Sequence, residues 1–139
     1  MINSNLKGAI SEGMVDAYLK SKGYYIFAPT YNSGGRVDLI ALNEEKKKHF
    51  YIGVKTAWIK SEKQIKCPVK EGSPGTVSHT KWRESGPCFD VLAVVKGDEI
   101  AFLKREEIIK DDGTPLQTLT FNTVKGKRVW GNYTDPRWM

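Results

Sequence analysis

The run Arg36-Val37-Asp38-Leu39-Ile40-Ala41-Leu42 sets an aspartate at the head of one apolar, β-prone segment. Across a charged turn, Phe50-Tyr51-Ile52-Gly53-Val54-Lys55-Thr56-Ala57 sets a lysine inside the next. Opposite charges placed in apolar strands cost free energy unless they are paired or put to use. A carboxylate in such a place can hold a divalent cation. A lysine beside it can orient or deprotonate a water, or steady a phosphate under attack. The competing reading is structural: a buried Asp–Lys ion pair, or a lysine that snorkels from a strand end.

The elements around the pair decide whether they can meet. Asn43-Glu44-Glu45-Lys46-Lys47-Lys48 is a solvated connection between two β-prone runs, which predicts an antiparallel hairpin. Folding about that turn brings Asp38 opposite the stretch from Gly53 to Lys55. Side chains alternate along a strand, so Gly53 and Lys55 share one face while Ile52 and Val54 take the other. Upstream, residues 4–22 predict a helix with Leu6, Ile10, Met14, Ala17 and Tyr18 along one stripe and Gly23 as its stop. Glu12 lies off that stripe, but Val15 and Leu19 follow it at i+3 and i+7, so it shares a second, partly apolar face. On a helix that packs against the sheet, Glu12 is a candidate second metal ligand; the plain alternative is a solvated surface glutamate.

The order of Glu12 in its helix, Gly23-Tyr24-Tyr25-Ile26-Phe27-Ala28-Pro29, Gly35-Arg36-Val37-Asp38-Leu39-Ile40 and Ile52-Gly53-Val54-Lys55-Thr56-Ala57 resembles the PD-(D/E)XK nuclease superfamily. It is most similar to the small endonucleases that include Holliday-junction resolvases and intron-associated or phage homing endonucleases. The trailing runs from Cys88 to Val95 and from Glu99 to Ile108 fit the same branch. No single motif is specific; the order carries the resemblance. It implies an α/β (α+β) fold with a mixed central sheet flanked by helices, and Mg²⁺ or Mn²⁺ as cofactor. It also implies Asp38 as principal metal carboxylate, Glu12 as the helix-borne one, the Val54 carbonyl as a further ligand and Lys55 as the catalytic lysine.

One position departs from the family. Two residues before the lysine, where these nucleases carry Asp, Glu or Gln, stands Gly53. Three explanations compete: an inactivating substitution, a site in which Glu12 or water fills the gap, and a degenerate nuclease that binds DNA without cutting it. A glycine in a strand of large β-formers favours substitution, and on that reading Gln or Glu at position 53 would raise cleavage.

The 139 residues suit a single domain: a core over 1–109 and a basic, aromatic extension over 110–139 that contacts DNA or covers an interface. Lys and Arg number 22 against 16 acids, a net charge of +6 that favours phosphate contact. Candidate DNA contacts are Arg36, Lys60, Lys63, Lys66, Lys81, Arg83, Lys125, Lys127 and Arg128, each otherwise a solvated surface charge. In the extension, Trp130 and Tyr133 either lie along DNA or cover the core. Trp82 reads as a core plug, Asp90 as a hydrogen-bonded strand-edge aspartate, and His49 and His79 as isolated histidines. Cys67 and Cys88 lack metal-site spacing and read as reduced thiols. Without an apolar signal or membrane-spanning run, the expectation is a soluble, cytoplasmic protein. Double-stranded DNA is the expected partner. A double-strand cut needs two sites, hence a homodimer or homotetramer. Sequence-specific cleavage of the homing type is the leading reading, with a Holliday-junction resolvase and a non-catalytic DNA-binding module as alternatives.

Overall fold

Helix α1 spans Ser4–Ser21 in this computed structural model, which describes residues 4–29 and 37–139. Its last turn closes at Gly23, where φ is +94°, with the Tyr24 amide bonded back to the Leu19 carbonyl. Such a left-handed stop is inexpensive for glycine. The buried stripe is not the one led by Leu6. Leu6 and Ile10 are about half exposed and Ala17 is exposed, whereas Ser11, Val15 and Leu19 are buried. The correction is a rotation of about 100°, one residue's worth. Its physical reason is that Val15 and Leu19 fit the sheet's apolar face while Ser11, small and polar, bonds Thr56 across it at 2.7 Å. Glu12 flanks this buried stripe.

Strands β1 (Tyr25–Phe27), β2 (Leu39–Asn43) and β3 (Lys48–Thr56) form an antiparallel meander. The expected hairpin is present: Leu39 faces Ile52, and the turn places Lys47 at φ 57° while the Asn43 side chain accepts the Lys46 amide. Strands β4 (Trp58–Ser61) and β5 (Gln64–Pro68) follow, then helix α2 (Val77–Ser85), capped by Thr76. Strand β6 (Val91–Lys96) returns parallel to β3, and β7 (Glu99–Lys104) pairs with it antiparallel. The mixed five-stranded sheet therefore runs β1-β2-β3-β6-β7. A second sheet runs β4-β5-β8, with β8 at Thr118–Asn122.

The central sheet is apolar on both faces because each is covered. On one face Leu39, Ala41, Ile52, Val91 and Phe102 meet α1. On the other, Phe89, Leu92, Val94 and Leu103 meet Ile65, Leu119 and Phe121 of the second sheet. Residues 110–139 contribute to both cores. Trp130 stacks edge-on against Phe121 at 4.9 Å between centroids and donates its Nε1–H to Glu99, and Met139 is buried on the α1 side. Trp130 and Tyr133 thus cover the core. Trp82 is buried, and both cysteines are free thiols. Of the run from Cys88 to Val95, only the part from Val91 pairs as strand, and Phe89 before it is buried. Among the described residues, no helix is long and apolar enough to cross a membrane.

Candidate active site

Strand β2 begins at Leu39, and the residue before it sits where β2 and β3 part. There the Asp38 amide donates to the Ile52 carbonyl at 2.9 Å, and its Oδ2 accepts the Val54 amide at 2.7 Å. The carboxylate thus takes the place of a strand's carbonyl and lies at the open edge of β3, a geometry that fixes it without any cation. Backbone groups of alternate residues point to the same side of a strand. The Val54 carbonyl therefore faces this same edge.

Glu12 reaches the edge from α1. It is partly buried, and burial together with the neighbouring Asp38 carboxylate pushes its carboxyl up to about 7. Glu12 therefore keeps its proton to a higher pH than a free glutamate. A groove of about 340 Å³ opens beside Glu12 between α1, β1 and β2, lined by Ala9, Glu12, Gly13, Asp16, Lys20 and Leu39. The small residues Ala9 and Gly13 leave Glu12 approachable from solvent.

Lys55 follows Val54 directly but leaves from the opposite face. It is half-buried and makes no ion pair among the described residues. Its charge bears on Cys67 in β5, whose thiol burial pushes up to about 12 against the lowering effect of Lys55. A thiol so raised is an inert core group and no nucleophile. Glu12 and Asp38 are thus brought together. Lys55 stands one residue beyond the Asp38–Val54 hydrogen bond, with a flexible stem and an ammonium that makes no ion pair among the described residues.

Gly53 is filled in a way its sequence context did not reveal. A Cβ built there would lie 2.4 to 2.9 Å from three carbons of the buried Phe89 ring. Glycine is needed here because the ring packs directly on the strand. The signal was present in kind, since a glycine inside a strand marks close approach of another group, but the partner lies 36 residues away along the chain (89 − 53) and nothing local names it. The Ser11–Thr56 bond, which pins α1 one residue past Lys55, also went unread.

The predicted DNA contacts scatter. Arg36 lies outside the described residues. Lys60 and Lys63 are exposed on β4 and its turn, Lys125 and Lys127 on the loop after β8, and Lys81 on α2. Arg83 lines a separate cavity of about 730 Å³ with Lys70, His79 and Lys110. Lys66 and Arg128 converge on Thr120, the former on its hydroxyl at 2.8 Å and the latter on its carbonyl at 3.2 Å. Asp90 is a strand-edge residue whose carboxylate accepts the Tyr51 amide at 2.9 Å.

The chain shares its fold with a solved structure described as a bacterial homing endonuclease, I-Ssp6803I, at 13% identity and a TM-score of 0.64. The superposition covers 92% of this chain and 81% of the other. No protein-family model matches the sequence, and no curated protein matches it. The architecture is a single-domain, nuclease-like α+β fold.

Proposed function

We propose that this chain is a Mg²⁺-dependent DNA endonuclease of the PD-(D/E)XK type, cutting a defined duplex sequence as a symmetric oligomer. The observation that carries the reading is the pairing of Glu12 with Asp38, which accepts the Val54 amide at the edge of β3 one residue before Lys55, on a fold shared with a homing endonuclease.

The donor set suits a hard cation. No cluster of three or more His, Cys, Asp or Glu that could form a metal cage occurs among the described residues. Mg²⁺ characteristically takes one or two carboxylates, keeps several waters and adds phosphate oxygens. Glu12, Asp38 and the Val54 carbonyl would hold it. A cation bound there lowers the pKa of a coordinated water and neutralises charge on the scissile phosphate. The chain's own residues do the rest. The Val54 amide fixes Asp38, the Ser11–Thr56 bond holds α1 in place so that Glu12 stays at the edge, and Lys55 reaches the phosphate to orient the attacking water or stabilise developing charge. The basic residues of β4, β5 and the 123–128 loop hold the duplex, with Lys81 and Arg83 on a second flank.

The Gly53–Phe89 pair favours one rival, a module that binds DNA without cutting, because Phe89 occupies the space of the family's missing side chain. Incubating the full chain with plasmid DNA carrying random inserts, and separately with a synthetic four-way junction, in Mg²⁺ and in EDTA separates the readings. Mg²⁺-dependent cuts at one duplex sequence are expected. Nicking confined to the junction would make it a resolvase, and binding without cutting would make it the module.

A further inference from the structure

We infer that the outward face of the β4-β5-β8 sheet reads base edges in the major groove, with Gln64 as its principal discriminating residue; this rests on the endonuclease reading above and adds the part of the substrate that the cutting site does not see.

The two faces of this sheet are chemically distinct. Ile65, Cys67, Leu119 and Phe121 point inward and are buried in the core between the sheets. Alternation sends Gln64, Lys66, Thr118 and Thr120 outward, all partly or fully exposed. Cross-strand register sets Trp58, Lys66 and Thr120 in one row, with Trp58 half exposed. Thr120 holds Lys66 and, through its carbonyl, Arg128. Each cation spends one donor on that contact and keeps others. Two residues along on the same face, the Gln64 amide makes no hydrogen bond among the described residues, although Asn122 opposite it is bonded to the Lys127 carbonyl. A side-chain amide on a rigid strand, unpaired and flanked by cations, has the donor and acceptor needed for adenine N7 and N6.

Size, charge and position agree. Across its two inter-strand gaps the sheet measures about 10 Å, against a major groove about 12 Å wide. Residues 58–68 and 118–129 carry six cations (Lys60, Lys63, Lys66, Lys125, Lys127 and Arg128) and one acid, Glu62. The sheet also continues the catalytic strand: β3 ends at Thr56 and β4 starts at Trp58. Lys55 and Trp58 are three residues apart, about 10 Å of extended chain, or roughly three base pairs at 3.4 Å each. The face therefore lies over bases some three or more pairs from the cut phosphate.

The test is selection of a randomised duplex library by the full chain in EDTA, which reads binding alone. It is run with Gln64→Ala, Gln64→Glu and Lys60→Ala, each checked for an unchanged circular dichroism spectrum. The parent chain is expected to enrich a motif. Gln64→Ala should erase its preference at one or two positions, by about tenfold or more, and Gln64→Glu should turn an adenine preference there towards cytosine. Lys60→Ala should weaken retention of all sequences alike and shallow the salt dependence by about one counterion. A motif unaltered by both Gln64 variants overturns the inference. So does a Trp58→Ser variant that turns an oligomer into a monomer with its motif intact, since the face would then be a protein interface. A Gln64-dependent motif with no cutting in Mg²⁺ keeps this inference and removes the catalytic reading; cutting with a Gln64-independent motif does the reverse.

Discussion

Alanine in place of Lys55 is expected to slow DNA cleavage by about two to four orders of magnitude while duplex binding in EDTA stays within a few-fold. Lys55 makes no ion pair among the described residues, so its removal breaks none of theirs. On the proposed mechanism its contribution is confined to the phosphate and the attacking water, groups present only in the reacting complex. Asp38→Asn should fall at least as far for a different reason. The asparagine Oδ1 still accepts the Val54 amide that Asp38 holds at 2.7 Å, so the local backbone survives while an anionic ligand is lost. Single-turnover cleavage of the selected target at saturating enzyme reads both. Rates within threefold of the parent chain for either variant would remove these residues from the chemistry.

A stability result of unusual sign is expected at Gly53. In an ordinary strand, replacing glycine by alanine at a compatible backbone gains about 0.4–1 kcal/mol through the unfolded chain. Here the new Cβ would meet the Phe89 ring at 2.4 Å, and that ring is buried with 1% of its surface exposed. Forcing a carbon into a packed core costs about 1–3 kcal/mol, so Gly53→Ala should lower the melting temperature by roughly 4–12 °C. Gly53→Gln should lower it further. A glutamine at position 53 is therefore expected to destabilise the fold whatever it does to cleavage, because the space is occupied. Melting of parent, Gly53→Ala and Gly53→Gln by circular dichroism decides the matter. A rise in melting temperature for alanine would mean that Phe89 yields, and would reopen position 53 to a metal-binding side chain.

Legibility varied with how local the cause was. The β2–β3 hairpin was readable because its turn residues and its flanking strands adjoin. So was the stop at Gly23, a single-residue effect. The face of α1 was misjudged because helix periodicity alone offered two stripes. The choice was made by the sheet that receives Val15 and Leu19 and by the Ser11–Thr56 bond, both long-range. The nearness of Glu12 to Asp38 followed from order and pattern, and the structure adds why both stay put: the Val54 amide for one, burial against the sheet for the other. Phe89 could not be found in advance, since a core partner so distant in sequence leaves no trace beyond the glycine itself. The role of the last thirty residues was half readable: aromatic and basic content was evident, but the placement of buried Trp130 against Phe121 and of Arg128 on the Thr120 carbonyl depends on how the chain folds back after β8.

The central claim is that Glu12 and Asp38 together hold a divalent cation, and calorimetric titration of Mn²⁺ into the full chain tests it most directly. Glu12 keeps its proton until the pH passes about 7. A cation needs both groups as carboxylates, so binding must expel that proton and affinity must rise with pH, levelling off above about 7. Repeating the titration at pH 6.5 in buffers of different ionisation heat counts the protons released. The account predicts binding with release approaching one proton at pH 6.5, little release at pH 8, and no release in Glu12→Gln. Absence of Mn²⁺ binding at pH 8, or binding that survives Asp38→Asn undiminished, would contradict it.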